Sequence, residues 1–122
     1  MEDNIALSFE WRDEFELNGH EVTLTHNGED AIAHLDQTKF DLVVTDIFVN
    51  SGKGGLHVIT KLHLMRDKAP PVIAVTGAKS GSSPTNRTNL FLRQAEKLGA
   101  SAVLEKPFPV GELLFSAHNL WD

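Results

Sequence analysis

Three side chains of complementary chemistry close three apolar runs. Asp46 ends the run in Phe40-Asp41-Leu42-Val43-Val44-Thr45-Asp46-Ile47-Phe48. Thr76 ends Val72-Ile73-Ala74-Val75-Thr76-Gly77, and Lys106 ends Ala102-Val103-Leu104-Glu105-Lys106. An acidic pair, Glu2-Asp3, precedes the first amphipathic stretch. A carboxylate is deprotonated at neutral pH and can attack phosphorus, forming an acyl phosphate. An ammonium and a hydroxyl can take the equatorial oxygens of the transferred group, where its charge is spread. The acidic pair and Asp46 can hold a hard divalent cation through oxygen ligands. Mg²⁺ commonly takes only one or two carboxylates, with water and phosphate oxygens filling its other positions. The plainer reading makes Asp46 the cap of the following turn and Lys106 a surface lysine. Which reading holds depends on whether the fold brings the three residues together.

The elements that must do so alternate along the chain. Leu7, Trp11 and Phe15 recur every four residues, flanked by Ile5 and Phe9, which predicts an amphipathic helix. Asn4 or Asp3 would cap it, and Asn18-Gly19 would stop it. A rival strand reading rests on the alternation of Ile5, Leu7, Phe9 and Trp11, but it would place Glu10 inside the sheet. His20-Glu21-Val22-Thr23-Leu24-Thr25 reads as a short strand. Asn27-Gly28 turns the chain into a helix over Glu29 to Leu35. The run to Asp46 reads as a strand buried on both faces. A loop, Val49 to Gly55, leads to a helix from Leu56 to about Met65, broken by Ala69-Pro70-Pro71. Val72 to Gly77 is a second buried strand. A polar loop, Lys79 to Thr88, precedes a helix over Leu90 to Leu98 that Gly99 stops. Ala102 to Lys106 is the last strand, and Glu112 to Trp121 the closing helix.

Strands alternating with helices predict a parallel sheet covered on both faces. The C-terminal ends of such strands share one edge, where ligands bind in open α/β sheets. That edge would hold Asp46, Thr76 and Lys106 together. At 122 residues the chain reads as one domain. It is 41% apolar and 23% charged, as globular proteins are. It has no cysteine, which excludes disulfides and thiolate chemistry. No apolar run is long enough for a membrane span and no signal segment is evident, so a cytoplasmic location is expected. The net charge of −6 argues against direct nucleic-acid binding, which needs a basic face.

Taken together, the motifs resemble a response-regulator receiver domain of two-component signalling. The matching pieces are Glu2-Asp3-Asn4, Asn18-Gly19-His20-Glu21-Val22, Asn27-Gly28-Glu29-Asp30-Ala31, Phe40 through Asp46, Gly55-Leu56, Val72 through Gly77, and Gly99-Ala100 through Lys106-Pro107-Phe108. They follow the family's order over nearly the whole chain. The resemblance implies a flavodoxin-like three-layer sandwich with a central parallel sheet of order 2-1-3-4-5. It implies that Asp46 accepts a phosphoryl group from a sensor histidine kinase or a histidine phosphotransfer protein. Asp3, Asp46 and the Phe48 backbone carbonyl would bind Mg²⁺, with Glu2 helping through water. Thr76 and Lys106 would assist at the phosphoryl group, and the Lys106-Pro107 bond would be cis. Such a module turns over no separate substrate. It catalyses its own phosphorylation and dephosphorylation, then docks onto a downstream protein partner, with a homodimer as one possible output form.

The chain also departs from the pattern. The family places an apolar strand of about five residues ahead of the acidic pair. Here Met1 stands directly before Glu2, so the first, central strand is truncated or missing. Its neighbours at His20–Thr25 and Leu42–Asp46 would lose hydrogen-bond partners, at about 1–3 kcal/mol for each buried group. Residues upstream, direct pairing of the two strands, or a segment of another chain could fill the gap. A mostly cationic α-amino group beside the acidic pair would oppose Mg²⁺. Asn50 replaces the usual proline, the loop after Thr76 is enlarged, and Val103 replaces the aromatic residue common before the lysine. The main alternative is a non-phosphorylated pseudo-receiver acting as a protein-interaction or dimerisation module. A haloacid-dehalogenase-type phosphatase would want an acid where Phe48 stands. Gly52-Lys53-Gly54-Gly55 lacks the spacing of a phosphate-binding loop. The six histidines show no ligand spacing on any one helix face. The chain ends with its last helix, so no output domain is expected.

Overall fold

The computed structural model describes residues 1, 2, 4–47, 55–77, 93, 96, 97, 99–106 and 108–121. Three strands, β1 (Val43–Asp46), β2 (Val72–Gly77) and β3 (Ala102–Lys106), form a parallel sheet in the order β1-β2-β3. The register sets Asp46 beside Val75, Thr76 beside Glu105, and Gly77 beside Lys106. Among the described residues four α-helices pack on it: α1 (Ile5–Leu17), α2 (Gly28–Gln37), α3 (Gly55–Met65) and α4 (Val110–Trp121). The layer containing α2 and α3 buries Ala31, Leu35, Val58, Ile59 and Leu62 against Val72 and Ala74. The layer containing α1 and α4 buries Trp11, Phe15, Leu113 and Ala117 against Ile73 and Val75. Alternate residues of β2 therefore feed opposite cores, as a strand with two covered faces must. Among the described residues, no helix is long and apolar enough to cross a membrane.

Helix α1 begins and ends where its sequence signals lie. The Asn4 side chain accepts from the Leu7 N–H at 3.1 Å, which caps the first turn. At the other end Gly19 has φ +87°, a left-handed conformation that favours glycine. The strand alternative for residues 5–11 is thereby excluded. The buried stripe is Ser8, Trp11 and Phe15, whereas Ile5 and Phe9 are exposed. Ser8 tolerates burial because its hydroxyl donates to the Ile5 carbonyl at 2.7 Å. Helix α2 starts one residue earlier than expected, with Asn27 accepting from the Asp30 N–H at 2.9 Å. The closing helix likewise starts earlier, at Val110. The loop over 79–88 and most of the helix expected over 90–98 lie outside the described residues.

The strand expected at His20–Thr25 is not formed as a strand. Among the described residues its one backbone bond to the neighbouring slot is from the Glu2 N–H to the Thr25 carbonyl, at 3.1 Å. Met1 and Glu2 occupy that slot as a two-residue stub. The Met1 amine donates to the Val44 carbonyl, and the Asp46 N–H donates to the Met1 carbonyl at 2.8 Å. Strand identity is conferred by a ladder, and two residues make too little of one. The Val44 N–H faces the same side as that of Asp46, and no backbone carbonyl among the described residues receives it. Behind the stub lies a cleft of about 460 Å³ walled by Trp11, Phe15, Val22, Leu42, Val44 and Leu113. The five-strand order is thus seen as three strands, consistent with truncation of the first.

Each backbone bond made in this cleft would contribute about 0.5–1.5 kcal/mol, beyond the apolar area covered. A variant carrying four or five apolar residues ahead of Met1 is expected to unfold at least about 5 °C higher in calorimetry. An unchanged transition would mean that the cleft does not accept an extended segment.

Candidate functional site

The carboxyl ends of the three strands carry the residues in question. Asp46 is the last residue of β1 and Lys106 the last of β3, with β2 between them. The Lys106 Nζ donates to Asp46 Oδ2 at 2.9 Å, across the end of the middle strand. It also donates to Glu2 Oε1. Both carboxylates are buried: Glu2 is 2% exposed and Asp46 is 3% exposed. One ammonium therefore serves two desolvated anions.

The electrostatics follow from that imbalance. Burial, together with the neighbouring Asp46, pushes the Glu2 carboxyl up to about 7, against the pull of Lys106. Burial works against the charge on Lys106, but its bonds to Glu2 and Asp46 outweigh this and raise its pKa above the ordinary lysine value. The Met1 amine is lowered to about 6, chiefly by burial, although Glu2 and Asp46 work to raise it. Burial thus works against the cationic terminus that was expected to oppose a divalent metal.

Thr76, 0% exposed, is one residue past the Val75 that pairs with Asp46. Its Oγ1 is buried with no hydrogen-bond partner among the described residues. Buried hydroxyls are rarely left so, and one at a strand end is available to an incoming acceptor. Trp11 belongs to the buried stripe of α1. Its ring also lies under Lys106, with Nζ 5.7 Å from the centroid, and stacks on Phe108 at 5.9 Å. The four-residue stripe pointed to its burial, but only the fold could place it beside the lysine.

The structure thus brings Glu2, Asp46 and Lys106 into direct contact and sets Thr76 on the same edge. Asp3, the Phe48 carbonyl and the Lys106-Pro107 bond lie outside the described residues. Two buried carboxylates sharing one ammonium leave surplus negative charge on oxygen donors, which fits a hard divalent cation.

A parallel sheet covered by helices, with an Asp and a Lys paired across its carboxyl edge, defines a class that the comparisons identify. The chain matches the response regulator receiver domain over residues 1–118 and belongs to that family. It is 33% identical over 101 residues to the uncharacterized transcriptional regulatory protein YkoG of Bacillus subtilis, covering 83% of this chain and 40% of that protein. It is 30% identical over 113 residues to the transcriptional regulatory protein CrdR of Helicobacter pylori, covering 93% and 49% respectively. The chain spans less than half the length of these curated relatives. Its fold also matches a response regulator protein from Burkholderia pseudomallei, whose structure holds a phosphorylated aspartic acid, a calcium ion and citrate. That match has a TM-score of 0.77 at 24% identity and covers 98% of this chain and 67% of that one.

Glu2 gives the site a pH signature. Its folded pKa is raised from 4.5 to about 7, so the folded state holds a proton that the unfolded state releases. The resulting stabilisation is fully present below pH 4.5 and is lost as pH rises through about 7. Urea midpoints of the wild-type chain should fall across that window, and Glu2→Gln should flatten the fall. A decline of equal size in the variant would assign the effect to another group.

Proposed function

We propose that this chain is a single phosphoryl-accepting receiver domain in which Asp46 is the phosphoacceptor. The observation that carries the reading is the contact of Lys106 with Asp46 at the ends of β3 and β1. The donor would be the phosphoimidazole of a sensor histidine kinase or a histidine phosphotransfer protein. An Asp46 carboxylate oxygen forms the new bond to phosphorus as the bond from phosphorus to the imidazole nitrogen breaks. The electron pair of that bond returns to the imidazole. No general base is needed, because the attacking oxygen carries no proton.

The remaining residues position charge. The Lys106 ammonium, already held at Asp46, can follow the phosphoryl oxygens. The Thr76 hydroxyl, with no acceptor among the described residues, can donate to one of them. Mg²⁺, held by Asp46 with Glu2 and the acidic residue after it, would supply charge neutralisation on the phosphoryl oxygens. The Burkholderia neighbour, which carries a phosphorylated aspartic acid and a calcium ion, supports the same pairing of modification and divalent cation. The output would be docking onto a downstream protein. Because YkoG and CrdR are transcriptional regulatory proteins, that output is gene regulation, with any DNA contact made outside this acidic domain.

The second reading, a non-phosphorylated interaction or dimerisation module, draws on the Glu2–Lys106 contact, which engages the ammonium without any phosphate. One experiment separates the two. With a small acyl-phosphate donor and Mg²⁺, intact mass should rise by one phosphoryl group in the wild-type chain and not in Asp46→Ala. Thr76→Ala and Lys106→Ala should slow the gain at least about tenfold, because each removes a donor to the charged group. A wild-type chain that stays unmodified, or an Asp46→Ala chain that gains the same mass, favours the interaction module.

A further inference from the structure

At the opposite side of the cleft from the phosphoacceptor, two histidines 98 positions apart in the sequence meet. His20 follows α1, and His118 lies on α4. Their Nε2 atoms face each other at 3.4 Å, with ring centroids 5.6 Å apart. Two lone pairs cannot face one another stably. Either one nitrogen carries a proton, or a cation lies between them.

The distance suits the second arrangement. Two zinc–imidazole bonds of about 2.0–2.1 Å, at a tetrahedral angle of about 109°, separate their nitrogens by about 3.3–3.4 Å. A chelate needs ligands positioned before the metal arrives, and the turn that carries His20 is held. His20 is pinned through its backbone. Its N–H donates to the Phe15 carbonyl at 3.1 Å, and the Gly19 N–H donates to the Glu16 carbonyl at 3.0 Å. That pair of bonds is the Schellman arrangement, with glycine left-handed and the next residue packed back on the helix. The packing partner is Phe15, edge-on to His20 at 5.8 Å. Trp121 then flanks both imidazoles, at 4.8 Å from His20 and 5.7 Å from His118. Its indole N–H is tied to the Asp41 carbonyl at 3.0 Å.

We propose that His20 and His118 form a two-histidine chelate for a d-block divalent cation of the zinc, nickel or copper type. Imidazole nitrogen suits these ions, whereas carboxylate and carbonyl oxygens suit magnesium. The site is therefore chemically distinct from the oxygen-donor site at Asp46. Among the described residues no group of three or more histidine, cysteine or acidic side chains is gathered at one point, so water completes the coordination shell. The two ligands come from the turn after α1 and from α4, so the cation would clip these elements together at the rim of the cleft. A cation that binds only the folded form raises the unfolding temperature.

Trp121 makes the site readable. With excess Mg²⁺ present, Ni²⁺ is expected to quench the tryptophan fluorescence, and Trp121→Phe to remove most of that quenching. Zn²⁺ should bind one-to-one in calorimetric titration and raise the unfolding temperature. His20→Ala and His118→Ala should each weaken binding at least about tenfold, the lower limit for loss of an outer-shell partner. No Zn²⁺ uptake by the folded wild-type chain at millimolar metal would overturn the proposal. So would unchanged uptake in the doubly substituted chain, since the ion would then sit on other histidines. Should His20→Ala perturb the turn, His118→Ala on the exposed face of α4 decides the matter alone.

Discussion

Two buried carboxylates and one ammonium are the constraint around which this domain is built. Glu2 and Asp46 are almost wholly withdrawn from water, and each would be costly to ionise there alone. Lys106 compensates both, and removing one partner from such a buried cluster typically costs about 3–5 kcal/mol. The compensation is incomplete, since one positive charge faces two negative ones. Burial, with the neighbouring Asp46, raises the Glu2 pKa.

The sheet exists in the form it does because this cluster requires it. Parallel strands put all their carboxyl ends on one edge, and β2 separates β1 from β3 by a single strand. Lysine has the reach to cross that strand, and its Nζ meets Asp46 there. Trp11 completes the arrangement from α1 by covering the lysine with an aromatic face.

Much of this was legible in the chain itself, because the relevant signals are local. The runs ending in Asp46, Thr76 and Lys106 are strands since each opens on at least three consecutive apolar residues. Asn4 and Asn18-Gly19 bound α1 by hydrogen bonds within a few residues. What was not legible depends on partners distant in sequence. His20–Thr25 has the composition of a strand, but a ladder needs a neighbour, and among the described residues the bond from the Glu2 N–H to the Thr25 carbonyl is all that is made there. Ser8 is buried ahead of Ile5 and Phe9 because the helix turns that face inward and its hydroxyl is satisfied within the helix. Neither the Glu2–Lys106 contact nor the His20–His118 contact has any local signature.

The stub at Met1 and Glu2 joins the two halves of the account. Its backbone holds the edge of β1, through the Asp46 N–H, and the segment ending at Thr25. Its side chain, on Glu2, holds the lysine that faces Asp46. One residue thus belongs to both the sheet edge and the site, and Trp11 likewise walls the cleft while covering Lys106. A displacement of the stub toward or away from the cleft must change how Lys106 divides between its two carboxylates, because the Glu2 backbone and side chain move together. The same cleft is bordered farther along by His20 and Trp121, which are anchored to α1 and α4. The cleft thus lies between the sheet edge that Glu2 helps to hold and the turn that carries His20.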